Sequence, residues 1–217
     1  MKIIFLDFDG VLHSHYGPGS ERFYFLPRFE ALIREFPSAR VVIASSWQLT
    51  HDLTALRNYF SPDIQPRVIG VSAFTGEQAL TWYGKRHRIA AADRYLKSNG
   101  YEHLPWVAID DEPSFWQPGA PLIHCRGGFQ DIEEQLLRWV LSDKVNADAG
   151  SLSFMDSLLR IDLRGNLAQA DLAQRFYAKY YKLETDEMHD SRWFESVCAS
   201  DPEFTALLID EPNGSQR

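Results

Sequence analysis

The stretch Ile3-Ile4-Phe5-Leu6-Asp7-Phe8-Asp9-Gly10-Val11-Leu12 joins a buried-strand pattern to two acids that a buried strand would not carry for its own sake. Four consecutive apolar residues, Ile3 to Leu6, read as a strand covered on both faces, as in a parallel α/β sheet. Ligand sites in open α/β sheets lie beyond the carboxyl ends of the strands, which is where Asp7 and Asp9 fall. Side chains alternate along a strand, so Asp7 and Asp9 point the same way and Phe8 turns back into the core. Two like charges held that close repel, and a divalent cation between them is the natural remedy. Gly10 then lets the backbone turn sharply away.

Outward from this stretch the chain alternates strands and helices. His13 to Ser20 holds turn residues and leads to Phe23-Tyr24-Phe25, the pattern of a short flap or hairpin over the site. Pro27 to Phe36 carries Phe29, Leu32, Ile33 and Phe36 at helical spacing. Arg40-Val41-Val42-Ile43-Ala44-Ser45-Ser46-Trp47 is a second apolar strand running into hydroxyl residues. Thr50 to Phe60 is expected to be a helix, Arg67 to Val71 a strand and Ser72 to Gly84 a loop with Trp82 and Tyr83. Lys85-Arg86-His87-Arg88 opens a helix predicted over 86–98, and a basic start runs against the helix dipole. Leu104 to Glu112 repeats the opening design, an apolar strand ending in the acids Asp110 and Asp111. Pro121 to His124 is a further short strand, Gly127-Gly128 a turn, and Asp131 to Leu141 an amphipathic helix.

This alternation, up to about residue 146, predicts a three-layer, Rossmann-like α/β fold with a central, mainly parallel sheet. Residues 147–217 are expected to form a helical C-terminal extension, with its strongest helix over 167–183 and a shorter one over 191–199. That extension is too apolar for a disordered tail, and docking on the core, on a second copy or on a partner is its expected use. The formal charge of −8 is uneven. Residues 1–146 hold 15 Lys and Arg against 17 Asp and Glu, a net of −2, and residues 147–217 hold 7 against 13, a net of −6. This balance weakens a case for non-specific duplex binding, though a local basic patch by the site is compatible with it. No apolar run approaches the roughly 18 residues of a membrane span. Cys125 and Cys198 stand far apart and read as reduced thiols of a cytoplasmic protein.

Asp7-Phe8-Asp9-Gly10-Val11-Leu12 resembles the first motif of the haloacid-dehalogenase-like (HAD) phosphohydrolases, aspartate-nucleophile enzymes that use Mg²⁺. The resemblance implies that Asp7 is the nucleophile and Asp9 the general acid and base, with Gly10 beside the substrate. It implies a Ser or Thr at the end of the second strand, for which Ser45 is the first choice and Ser46 the second. A third motif supplies a cation, best matched by Lys85, with Arg86 and Arg88 as alternates. A fourth completes the metal site with Asp110 or Asp111, Asp111 being expected to face the metal held also by Asp7 and Asp9. The gaps between these motifs are too short for a large cap domain, so the site is open and suits a bulky substrate. The chain looks most similar to the small HAD domains associated with RNA-repair proteins. That implies a phosphorylated polynucleotide end or nucleotide as substrate, with Trp47, Trp82 and Tyr83 as stacking surfaces and Arg86 and Arg88 as phosphate contacts. A phosphoprotein substrate, or a silent scaffold used for binding, are the alternatives.

Overall fold

The computed structural model describes residues 1–16, 19–72, 87–116, 120–144, 152 and 156, with His87 described in its backbone alone. The chain divides into two units, Met1–Leu152 and Ser153–Arg217, and the first contains every element below. Lys85, Arg86, Trp82, Tyr83, Cys198 and the helices expected within 147–217 lie outside the described residues.

Five strands form one sheet: β1 (Lys2–Leu6), β2 (Ala39–Ile43), β3 (Val68–Val71), β4 (Trp106–Asp110) and β5 (Leu122–His124). Their order is β3-β2-β1-β4-β5 and every pairing is parallel. The helices are α1 (Leu26–Glu35), α2 (Leu53–Arg57), α3 (His87–Asn99) and α4 (Asp131–Leu141). This is the α/β, Rossmann-like architecture that the alternating pattern predicts. β1 is central because it is the most apolar: Ile3, Ile4, Phe5 and Leu6 are all fully buried. Ile3 and Phe5 face a cluster with Ile89, Ala92 and Leu96 of α3 and with Trp116. Ile4 and Leu6 point the opposite way, and α1 and α4, which contact each other, present Phe29, Leu32, Ile33, Leu136, Leu137 and Val140 as buried residues.

Two segments differ from the sequence pattern. The helix expected over 50–60 is reduced to α2, which starts where Asp52 caps Ala55 N–H at 2.8 Å and is preceded by a 3₁₀ turn over Ser46–Leu49. Its apolar end is used otherwise, since Tyr59 and Phe60 turn their rings toward Phe8, with centroids at 6.5 and 6.0 Å. The segment after β1 is a flap without a strand ladder. Ser14 N–H donates to Gly19 O at 2.7 Å and Phe25 N–H to Leu12 O at 2.8 Å, while the Ser14 hydroxyl ties it to Gly127 O at 2.5 Å. Among the described residues no helix is long and apolar enough to cross a membrane.

Phe5 packs edge-on against Tyr95 and Trp106, at 6.2 and 5.5 Å. Phe5→Ala is therefore expected to cost about 3–5 kcal/mol of stability in urea denaturation; a loss below about 1 kcal/mol would show that this layer repacks freely.

Candidate active site

Register places the site. Leu6 of β1 is level with Ile109 of β4 and with Ile43 of β2, so Asp7, Asp110 and Ser45 emerge together at the carboxyl edge. Here the strand order also reverses, β2 and β3 lying on one side of β1 and β4 and β5 on the other. Such a switch point leaves a crevice for ligands.

Asp7 is buried, with 2 % of its surface exposed. Its Oδ1 accepts from Phe8 N–H at 2.8 Å and its Oδ2 from Arg88 Nη1 at 2.5 Å. The Ser45 side chain, itself buried, lies near enough to this carboxylate to favour its charged form. Arg88 stands in the first turn of α3 and reaches Asp110 with the same nitrogen. Asp110 is fully buried and accepts further bonds from Trp116 Nε1 at 2.7 Å and from Glu112 N–H at 2.9 Å. The guanidinium lies over the Phe115 ring, 4.8 Å from its centroid. The cation that joins the two buried acids is thus Arg88, an alternate in the motif pattern; the preferred Lys85 lies outside the described residues.

Burial raises the Asp7 pKa, and Arg88, Ser45 and Phe8 N–H offset this only in part. Burial, then the charge of Asp7, pushes Asp110 up to about 7, against the pull of Arg88, Glu112 N–H and Trp116. Burial opposes the charge on Arg88, but Asp7 and Asp110 outweigh it and its pKa rises. Below its ordinary value of 3.8 Asp110 is protonated both folded and unfolded. As pH climbs from there to about 7, the folded state holds a proton that the unfolded chain has released. On this account stability falls with rising pH across that window.

Asp9 sits in a different environment. Its side chain is 38 % exposed, and each oxygen has a neighbour: Trp47 Nε1 donates to Oδ2 at 2.9 Å and His13 Nε2 lies 3.2 Å from Oδ1. Trp47 comes from the 3₁₀ turn after β2, which Ser45 caps by accepting from Trp47 N–H at 3.5 Å; Ser46 is the first residue of that turn. The indole is itself enclosed, with His51 stacked at 5.6 Å and Arg22 above the ring at 4.5 Å. Asp111, after β4, faces His15 Nε2 at 2.9 Å. Gly10, at φ 69°, leaves room for it: a Cβ there would stand 2.2 Å from Asp111 Oδ2. Both the dihedral and the space demand glycine.

Asp7, Asp110 and Asp111 offer carboxylate oxygens within 4.8 Å of one another. Among the described residues these three carboxylates stand with the one guanidinium of Arg88, a donor set that fits a divalent cation. The Asp9 carboxylate is not in this group; it is turned to Trp47 and His13. Cys125 is buried, and burial pushes its thiol well above the ordinary range, which makes it a poor nucleophile.

His13, His15 and Trp116 hold site acids without belonging to any sequence motif. The role of Arg88 had a signal: with Ala91, Ala92 and Tyr95 it occupies the i, i+3, i+4, i+7 stripe that α3 turns to the sheet. A cation on that stripe must meet a buried partner.

A parallel sheet with this order, acids after β1 and β4, a hydroxyl after β2 and a cation from the following helix define an HAD-type α/β domain. The family described as the HAD domain in Swiss Army Knife RNA repair proteins matches residues 3–132, and the chain belongs to it. Neither the curated proteins nor the solved structures yield a match.

Removing Arg88 leaves two buried acids without their cation. Arg88→Met is expected to lose roughly 3–5 kcal/mol at pH 8 and to recover part of it near pH 5, where the acids take up protons. Melting curves at the two pH values check this; an equal loss at both would mean that packing, not charge, is what Arg88 supplies.

Proposed function

We propose that the domain is a Mg²⁺-dependent phosphatase that hydrolyses a phosphate monoester through an aspartyl-phosphate, acting on a polynucleotide end or nucleotide. The observation that carries this is the contrast between two acids of one turn. Asp7 is buried and pinned by Arg88, Ser45 and a backbone N–H. Asp9, two residues on, is open to solvent and held by Trp47 and His13. Arg88 and Phe8 N–H hold the Asp7 carboxylate in place for attack, while the exposed Asp9 can exchange protons with the leaving oxygen and with water.

In this reading Asp7, oriented by Arg88 and Phe8 N–H, keeps lone pairs free for phosphorus. As its oxygen bonds phosphorus, the bond to the leaving oxygen breaks and Asp9 gives that oxygen its proton. Water then attacks the aspartyl-phosphate, Asp9 takes the water proton, and the Asp7 carboxylate and inorganic phosphate separate. Ser45 and Arg88 offer donors to the phosphoryl oxygens, with Lys85 and Arg86 as further candidate cations. Asp7, Asp110 and Asp111, with the Asp9 backbone carbonyl, would hold Mg²⁺, which when bound would neutralise charge on the transferring group. The nucleic-acid part of the reading rests on the family's description and on motif gaps too short for a cap.

Mg²⁺-dependent release of phosphate, compared among a phosphorylated oligonucleotide, a nucleoside monophosphate and a phosphopeptide, tests the proposal. The oligonucleotide should be turned over best, EDTA should abolish turnover, and Asp7→Asn should lower kcat at least about a thousandfold. An Asp7→Asn protein that kept its activity would sink the assignment. Trp47→Phe removes the donor that orients Asp9. It should cost about 100-fold in kcat on an alkyl phosphate and only a few-fold on p-nitrophenyl phosphate, whose leaving group needs little protonation. No loss on either ester would take Trp47 out of this role.

A further inference from the structure

Arg22 is exposed, yet it is not free to wander. Its guanidinium carbon lies 4.5 Å from the Trp47 ring centroid, 5.1 Å from that of Tyr59 and 5.6 Å from that of Phe23. Nη2 donates to the Tyr59 hydroxyl at 2.8 Å. Among the described residues no carboxylate pairs with it, whereas Arg28, Arg34, Arg88 and Arg138 all have acidic partners. Arginine is suited to this use, because its plane stacks on rings while its edge stays open to a bidentate anion.

The platform is built at a backbone cost. Phe23 has φ 61°, a left-handed conformation that is a genuine outlier for a bulky residue. That turn seats the Phe23 ring against Phe8, Trp47 and Tyr59, at 5.4, 5.4 and 4.6 Å, and brings its neighbour Arg22 over the same rings. The platform also has a definite place in the site. Trp47, beneath the guanidinium, is the residue whose indole N–H binds Asp9. Asp9 is the proton donor to the leaving oxygen in the proposed mechanism, so the body of the leaving group must lie on this side.

We propose that Arg22, held on Trp47, Tyr59 and Phe23, is the subsite for a second anionic group on the leaving side of the substrate, namely the next phosphodiester of a polynucleotide. The proposal rests on the phosphatase reading for its orientation. It explains why an exposed cation is fixed with no carboxylate partner among the described residues, beside a capless site: the ligand supplies the anion, and aromatic rings with a cation are the surface that single-stranded nucleic acid uses.

The test compares wild type, Arg22→Ala and Arg22→Lys on three esters: a terminally phosphorylated oligonucleotide, a nucleoside monophosphate and a phosphopeptide with acidic flanks. Arg22→Ala should lower kcat/KM on the oligonucleotide about 10–100-fold, chiefly through KM, and should flatten the slope of log kcat/KM against log salt by about 1. The loss on the monophosphate should be at least tenfold smaller, and Arg22→Lys should restore part of the difference. Melting temperatures check that the variants are folded. Equal losses on oligonucleotide and monophosphate would make Arg22 a mere support for Trp47 and overturn the proposal, as would no loss at all. A loss confined to the acidic phosphopeptide would replace the phosphodiester by a carboxylate and overturn it too. A binding arm needs no turnover. Asp7→Asn should hold the phosphorylated oligonucleotide at least about tenfold tighter than Asp7→Asn/Arg22→Ala. If wild type hydrolyses none of the three esters, the phosphatase reading falls, and this binding difference alone then decides on Arg22.

Discussion

Two carboxylates and one guanidinium, Asp7, Asp110 and Arg88, are almost wholly withdrawn from water at the end of the central strands. Taking charges out of water costs several kcal/mol per ion even after relaxation, and the penalty is offset only when geometry is good and remaining polar atoms find partners. Here they find them: Phe8 N–H and Ser45 on Asp7, Trp116 and Glu112 N–H on Asp110. Each of those partners belongs to a turn or strand end that must lie where it does for the triad to be tolerated. The helix α3 must likewise begin beside the carboxyl edge, since Arg88 sits in its first turn. One residual polar atom, Arg88 Nε, is buried without a hydrogen bond, so even this arrangement is not complete.

The sheet order makes the triad possible. With β4 inserted beside β1 rather than after β3, the acids at the ends of these two strands become neighbours, although Asp7 and Asp110 are 103 positions apart. Among the described residues Asp7, Asp110 and Asp111 bring three carboxylates together with the one guanidinium of Arg88. Asp9 escapes this crowding. The chain turns at Gly10, under Asp111, and the Asp9 carboxylate swings to the aromatic side, where Trp47 and His13 take it. The site therefore has a buried half, where acids surround Arg88, and a more open, aromatic half.

The fold was largely legible because its signals are local. The apolar runs of β1, β2 and β4 and the helical stripes of α1 and α4 lie within a few residues of their observed bounds. α2 is shorter than its pattern, because Tyr59 and Phe60 are drawn to Phe8 by tertiary packing that outweighs helical spacing. Within the site, the acids at strand ends could be picked out because no buried strand carries such residues for its own sake.

By itself, then, the sequence determined that Asp7, Asp9, Asp110 and Asp111 stand at strand ends, since apolar periodicity and turn chemistry act over a handful of residues. The tertiary structure alone decided their partners. Arg88 meets Asp7 across 81 positions of chain and Trp47 meets Asp9 across 38. Lys85, Arg86 and Arg88 are three cations in one short run, and the motif pattern alone does not choose among them. That choice is made by the face that α3 buries, and only the packed fold sets that face.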